Sequence, residues 1–390
     1  MNPTLKLPQG FLSAAGTAGI KASSKPDCAL IVSGAPLRWA LAATTNTLKA
    51  ACVTRNKKIA DGDQAVRAVV INSGNANCAT GVEGERANER FAVAAAAALH
   101  VSADEILTAS TGVIGEPLPV GKLEATLPTL ADRLADGAET LAQETLAQAI
   151  LTTDLVPKTA EVTLSGGARV VGIAKGSGMI HPNMATMFGF VLTDADVPQR
   201  TLRALWPGVV AESFNQVTVD GDTSPNDMAF LLANPQTKVD EAEFIRGLTE
   251  VTQSLARQIA RDGEGATKLL TVEVMGAASD AEARRAARAV VLSPLVKSAA
   301  HGNDPNWGRV LSSVGATGVE LALPSLSIQL QNTLVYAGTP QTFDAAEVSR
   351  AMDAPELLIR VDLGVGTGSG TAWGCDLTAD YVRINADYHT

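Results

Sequence analysis

Lys175-Gly-Ser-Gly-Met-Ile-His-Pro-Asn-Met-Ala-Thr186-Met-Phe-Gly-Phe190 lies near the middle of a 390-residue chain, and its reading decides the rest. Ahead of it, Ala168 to Ala174 is rich in Val and Ile and predicts a strand. Two glycines and Pro182 then exclude a helix or a central strand. From Phe188 to Leu192 the pattern is apolar again, so the stretch is a turn-rich insert between two strands. Two readings are open for it. One is an ordinary loop. The other is a peptide bond that the protein cuts itself: the Thr186 hydroxyl attacks the carbonyl of Ala185, an ester forms, and water releases a new amino terminus on Thr186. That amine, with an ordinary pKa of about 7.7–8.0, can take the proton from its own hydroxyl.

Hydrophobic residues make up 46% of the chain but aromatics only 4%, so the core must be built from Ala, Val, Leu and Ile, which suits close helix-on-sheet packing. The length allows two or three domains' worth of core. A net charge of −10 with no basic run excludes nucleic acid and anionic membrane surfaces as expected partners. Cys28, Cys52, Cys78 and Cys375 are widely spaced and form no CxxC pair, which fits buried thiols in a reducing compartment rather than disulfides or zinc. The first residues show no signal pattern, and the longest apolar run, Phe91 to Leu99, is too short for a bilayer. The expectation is a soluble cytoplasmic protein.

Strands are expected at Ala29–Ser33 and Val66–Ile71, the second running into the turn Asn72-Ser-Gly-Asn-Ala-Asn77. Gly84–His100 reads as a helix, and Ser102-Ala-Asp-Glu105 as a capping box opening a short helix to Thr108. Ala109-Ser-Thr-Gly-Val-Ile-Gly115 is either a glycine loop or an oxyanion hole, in which the Thr111 hydroxyl and the Gly112 N–H meet a developing negative oxygen. Ala138–Ile150 reads as helical, and Ser165-Gly-Gly167 as a hairpin turn. The strand after it delivers Lys175, which is either solvated surface or a cation facing the site. There it would hold a carboxylate, or keep a nearby amine neutral by like-charge repulsion. Gln199–Phe214 is expected as a helix broken at Pro207, and Asp240 as the cap of a helix to about Arg261, with Glu243 closing the cap. Phe244, Leu248, Val251, Leu255 and Ile259 give that helix one apolar stripe. Asp220, Asp222, Asn226 and Asp227 lack calcium-loop spacing, so a structural role is expected and no metal. Gly276–Asp280 reads as a linker, Ala281–Val290 as a helix, Leu326–Tyr336 and Leu357–Leu363 as strands, and His301 as structural. Gly364–Gly370 is not a dinucleotide fingerprint.

Lys175–Met187 (KGSGMIHPNMATM) resembles the cleavage signature of the glutamate N-acetyltransferase family of arginine biosynthesis, also called ornithine acetyltransferase. The likeness continues in NSGNAN (72–77), STGVIG (110–115), TVDGDTS (218–224), DGEGATK (262–268), residues 293–309 and residues 372–390, in the family's order. Cys78-Ala79-Thr80-Gly81 departs from the family's Ala-Cys-Thr-Gly, so Cys78 is given no catalytic role. The resemblance implies a mixed α/β (α+β) fold of layered sheets and helices. It also implies cleavage between Ala185 and Thr186 into an α chain (1–185) and a β chain, and an α₂β₂ heterotetramer. The β chain would complete the large domain with 186–275 and close the substrate site with 276–390. The implied reaction is ping-pong acetyl transfer from N²-acetylornithine to glutamate through acetyl-Thr186, with Thr111 and Gly112 as the oxyanion hole. Substrate contacts are implied for Thr152 or Thr153, Lys175, Thr186, Glu264, Asn385 and Thr390. No metal or organic cofactor is implied, although some members also take acetyl-CoA as a donor. Two rival readings are an N-terminal-nucleophile aminopeptidase or amidase, and an uncleaved amino-acid-binding protein.

Overall fold

The computed structural model describes residues 6–135, 145–181 and 187–387. Two sheets organise them. In the first, the strands run β4 (Ile106–Val113), β3 (Val66–Asn75), β2 (Cys28–Ala43), β9 (Met228–Thr237), β7 (Phe188–Ala195), β6 (Arg169–Lys175), β5 (Lys158–Thr163), with β1 (Phe11–Gly16) paired to β2. The long β2 is the hinge of this sheet. Its first half pairs with β1 and β3, its second half with β9, and the register against β3 slips between Val32 and Leu37.

Side chains alternate along every central strand, because a strand points successive residues to opposite faces. Val69 and Ile71 of β3, Ile31 and Trp39 of β2, Val171 and Ile173 of β6, and Phe188, Phe190 and Leu192 of β7 share one inner core. Phe190 and Phe230 stack there with ring centroids 5.2 Å apart. The opposite face of β2 and β3, at Leu30, Ala68 and Val70, packs with Phe91, Ala92 and Ala95 of α2 (Gly81–Leu99) and Leu123, Leu127 and Leu130 of α3 (Val120–Ala135). The opposite face of β6, β7 and β9 packs on α4 (Gln199–Ala211) and α5 (Glu241–Arg261). The layering is thus helix, sheet, sheet, helix around the fold of β2, and the layered α/β expectation holds.

The expected stripe of α5 is what seats it: Phe244, Leu248, Val251, Leu255 and Ile259 are all buried. The contact is close because β6 carries Gly172 beneath it. A Cβ built there would lie 2.5 Å from Leu255 Cδ1 and 2.7 Å from Val251 Cγ1.

The second sheet runs β13 (Thr339–Pro340), β12 (Thr333–Ala337), β11 (Ser327–Leu330), β14 (Glu356–Asp362), β10 (Leu269–Ala277), β15 (Gly368–Cys375), β8 (Val217–Thr218). Its core includes residues of α6 (Asp280–Leu292), α8 (Trp307–Gly315) and α9 (Ala345–Met352). Because β8 comes from the chain between α4 and β9, the two sheets share one connected polypeptide path. None of the described helices is long and apolar enough to cross a membrane. The four cysteines are free and buried.

Several local expectations change. Helix α4 runs through Pro207 without a break. Losing one hydrogen bond is tolerated because Trp206, Val209 and Val210 are buried and the Trp206 indole donates to Ala229 O at 3.0 Å. The box at Ser102 and Glu105 forms, but over a single 3₁₀ turn (Ala103–Glu105), since β4 begins at Ile106. Asp240 caps α5 by accepting from Glu243 N at 2.8 Å, yet the Glu243 carboxylate turns away to Ser165 N and Oγ, both at 2.7 Å. Residues 276–280 are not a linker: β10 continues to Ala277, and Ser279 caps α6. Apart from β8, the second sheet therefore takes up the chain at 269, and position 275 lies inside β10. Leu326–Tyr336 is a hairpin rather than one strand, turning at Gln331 with φ 53°. Asn72–Asn75 belongs to β3, and Ala109–Val113 to β4, so neither is a free loop. Of Ala138–Ile150, residues 145–149 are helical and 138–144 lie outside the described residues.

Adding one methyl at position 172 overpacks the β6–α5 contact. Gly172→Ala is expected to lower stability by about 1–3 kcal/mol, read by denaturant or thermal unfolding. An unchanged unfolding midpoint would contradict the close approach.

Candidate active site

The strand ends of the first sheet and two loops of the second half converge on one cavity of about 100 Å³. Thr111 and Gly112 reach it from the end of β4, Lys175 from the end of β6, and Thr152 and Thr153 from the turn after 145–149. Glu264 comes from the loop after α5, and Asn385 from α10 (Ala379–Asp387). Ala185 and Thr186 lie outside the described residues, as does Thr390. The chain on either side of the first pair is nevertheless placed. Met179 lines the cavity, and β7 leaves from beside Lys175, which pairs with Phe188.

Gly112 has φ +132°, and a Cβ there would lie 2.3 Å from the carbonyl carbon of Gly74 on β3. Only glycine lets β4 pass this close to β3 while carrying Thr111 to the cavity. Lys175 Nζ donates to Thr111 Oγ1 at 3.4 Å. The threonine hydroxyl is thereby left with its own proton free to donate into the cavity. Lys175 is buried, and burial lowers its pKa below the ordinary lysine range, opposed by the nearby Asp154 and Asp227 carboxylates. Burial likewise pushes Asp227 well above the usual carboxylate range, opposed first by Lys175.

Glu264 is 8% exposed, and its Oε2 accepts from Asn385 Nδ2 at 2.9 Å. A Cβ on Gly178 would sit 2.3 Å from the Glu264 carboxyl, so Gly178 is what admits that carboxylate. Among the described residues no cation pairs with Glu264. A buried carboxylate held by one neutral amide is suited to a positively charged ligand group.

Behind these residues sits a cluster that sequence reading missed. Lys158 Nζ lies 2.8 Å from Asp154 Oδ1 and 2.6 Å from Asp262 Oδ2, all three fully or nearly fully buried. Asp154 also accepts from Gly176 N at 2.6 Å and Thr152 N at 3.0 Å, and Asp262 accepts from Leu155 N at 3.0 Å. Ser177 Oγ donates to Asp262 O at 2.6 Å, and Glu264 N to Ser177 O at 3.0 Å. Three loops, carrying Thr152–Thr153, Lys175 and Glu264, are thus fastened to one another. Asp154 and Lys158 are four apart in sequence, a spacing that would suggest a surface pair, and nothing local links either to position 262.

The acidic stretch 218–227 does the backbone work expected of it. Asp220 accepts from Met179 N at 2.6 Å and Ile180 N at 2.9 Å. Asn226 Nδ2 donates to Ala76 O at 2.6 Å and Ser110 O at 2.7 Å, tying the 72–77 and 110–115 segments together. Asn226 Oδ1, Asp227 Oδ2 and Ser110 Oγ are buried without a partner among the described residues. His301 Nδ1 bonds to Asp376 Oδ2 at 2.9 Å rather than to Asp304, and neither His301 nor Asp376 lines the cavity. Among the described residues no group of three or more His, Cys, Asp or Glu side chains could hold a metal ion.

Burial on its own would raise the Asp154 carboxyl, but Lys175 and Lys158 outweigh it and hold its pKa at about 2. A carboxylate depressed on folding contributes stability above its unfolded pKa and loses it as pH falls through the folded value. From the ordinary 3.8 to about 2, the contribution is on the order of 2 kcal/mol. Asp154→Asn is therefore expected to be less stable than the parent at pH 7. The gap should narrow on acidification from about pH 4 towards pH 2, as followed by urea unfolding at several pH values. A gap independent of pH would place the Asp154 charge outside the network.

The model of the ArgJ family matches residues 12–390. The arginine biosynthesis bifunctional protein ArgJ of Deinococcus radiodurans is 52% identical over 389 residues, spanning 100% of this chain and 99% of that protein. Its counterpart of the same name from Thermus thermophilus is 54% identical over 387 residues, spanning 99% and 100%. Among solved structures, the arginine biosynthesis bifunctional protein argJ of Bacillus halodurans is 41% identical, covering 52% of this chain and 100% of that chain, with a TM-score of 0.49. With a match that runs through nearly its whole length, the chain belongs to the ArgJ family.

Proposed function

We propose that the chain is an acetyltransferase of arginine biosynthesis that moves acetyl from N²-acetylornithine to glutamate through an acetyl-Thr186 intermediate. The observation that carries this reading is the meeting of Thr111, Gly112, Lys175, Glu264 and Asn385 in one cavity, with Lys175 at the end of β6 beside the start of β7. Full-length similarity to bifunctional arginine-biosynthesis proteins supports it. So do the buried oxygens beside the cavity that have no partner among the described residues, which suit a polar ligand.

In this reading, the chain first cuts Ala185–Thr186. The Thr186 hydroxyl attacks the Ala185 carbonyl, and water hydrolyses the ester to leave a free α-amine on Thr186. In the first half-reaction the Thr186 oxygen attacks the acetyl carbonyl, its α-amine accepts the hydroxyl proton, and the oxyanion is met by Thr111 Oγ1–H and Gly112 N–H. The C–N bond breaks, the proton returns to the departing amine, and ornithine leaves. Glutamate's amine then attacks the acetyl ester, forming N-acetylglutamate and freeing the threonine. Lys175 would hold the substrate carboxylate and Glu264, oriented by Asn385, the ornithine side-chain ammonium. Thr152 or Thr153 and Thr390 would complete the pocket. Nucleophile and base come from one residue, so the chemistry calls for no metal or organic cofactor, and acetyl-CoA would serve the second activity as an alternative donor. The α chain (1–185) and β chain would remain together, as an α₂β₂ assembly.

Thr186→Ala is expected to give a single uncut band on a denaturing gel and no transfer. Normal turnover by that variant would end the assignment. Thr111→Ala is expected to lower kcat by about 10²–10³, the scale of one lost oxyanion donor, with cleavage slowed in parallel. Unchanged rates would remove Thr111 from the hole. Glu264→Gln should raise KM for N²-acetylornithine about tenfold or more with a smaller change in kcat, as expected for a lost ground-state contact. An unaltered KM would place the ammonium elsewhere. Ornithine release that does not depend on glutamate would identify a hydrolase instead.

A further inference from the structure

The segment that lends Met179 to the catalytic cavity lends His181 to a second and larger depression of about 530 Å³. Arg284, Arg285 and Arg288 of α6 line it, together with the apolar side chains Ala211, Ala289 and Leu292. Arg284 and Arg288 are four apart and so share one face of α6. Their counter-charges are few. Arg284 pairs with Glu212 at 3.6 Å and Arg285 with Glu282 at 3.4 Å, which leaves Arg288 as the groove arginine to account for. Arg288 pairs with no carboxylate among the described residues, and its Nε is buried without a partner.

Arg288 has one bond that fixes its direction: Nη2 donates to His181 Nε2 at 3.0 Å. The other imidazole nitrogen, Nδ1, is 3.1 Å from Thr218 Oγ1, whose single proton goes to Ile180 O at 3.2 Å. Thr218 oxygen must then accept from Nδ1–H, which leaves Nε2 as the bare acceptor and the imidazole neutral. Burial first, and then Arg288, hold the His181 pKa down to about 4, in keeping with that tautomer. The guanidinium is thus braced from behind by a neutral group, and its positive charge is left uncancelled. A half-buried charge with no carboxylate against it favours an anion, and a guanidinium fork matches a carboxylate or phosphate in two parallel bonds.

We propose that this groove is a binding site for a small organic anion, its carboxylate or phosphate taken by Arg288 and Arg284 and its apolar body laid on Ala211, Ala289 and Leu292. The site stands apart from the residues assigned to acetyl transfer. It adjoins them through Met179–His181.

The test uses the full protein and four probes in calorimetric titrations: phenyl phosphate, inorganic phosphate, benzoate and acetate. One saturable site per chain is expected for phenyl phosphate or benzoate, at least tenfold tighter than for inorganic phosphate or acetate respectively. Which of the two aromatic probes binds tighter identifies the acid group. Arg288→Met should weaken that binding at least tenfold, whereas Lys175→Met should leave it unchanged. Ala289→Asp keeps all three arginines while placing a carboxylate in the groove, and it should abolish binding even if Arg288→Met folds poorly. No saturable binding by any probe, or binding lost with Lys175→Met and kept with both groove variants, overturns the proposal. So does a change of sedimentation with Ala289→Asp and no probe binding to the parent, which would make the groove a contact between copies of the chain.

Discussion

The candidate site depends on one buried ion cluster, Lys158 between Asp154 and Asp262. Taking three charges out of water is expensive, and such clusters add little net stability compared with apolar packing. What this one supplies is position. Its carboxylates accept backbone N–H groups from Thr152, Leu155 and Gly176, so each charge also anchors a loop. Removing one member would strand the others without compensation, at a cost on the order of 3–5 kcal/mol. The loops carrying Thr152–Thr153, Lys175 and Glu264 therefore move together or not at all. Lys175, brought up this way, stays close enough to Thr111 to bond its hydroxyl.

The layered fold explains why those loops meet. β2 folds the first sheet over, so that β4 and β6 belong to different layers yet deliver their ends to one cavity. Small residues make the convergence possible. Gly112 lets β4 press against β3, and Gly172 lets α5 settle on β6, which sets where the Asp262–Glu264 loop emerges. The second sheet contributes through α10, whose Asn385 reaches Glu264. The chemistry is thus assembled from both sheets.

Much of this was legible in the sequence where the signal is local. The Ser165-Gly-Gly turn, the Asp240 cap, the α5 stripe and the strand before Lys175 follow from turn chemistry, capping and periodicity, which act within a few residues. Motif order brought Thr111, Gly112, Thr152, Thr153, Lys175, Glu264 and Asn385 forward as candidates, and they share a cavity. Local reasoning failed where a distant partner decides. Pro207 stays in α4 because Trp206 and Val209 are buried against the sheet, and Glu243 leaves its own cap for Ser165 on a neighbouring hairpin. Gly276–Asp280 has the composition of a linker, yet strand pairing and the Ser279 cap use it as structure. The Asp154–Lys158–Asp262 cluster was invisible for the same reason, since its members are separated by about a quarter of the chain. Arg288 gave no sign either, because only the fold sets it against His181.

The central claim is that the residue at 186 carries the acetyl group between the two substrates. Wild-type protein incubated with N²-acetylornithine alone, quenched in acid and mapped by peptide mass spectrometry reads this directly. The account predicts acetyl on the fragment beginning Thr186-Met-Phe-Gly, held as an ester, and its loss when glutamate is added before the quench. Acetyl on any other residue, or on that fragment but untouched by glutamate, would contradict it.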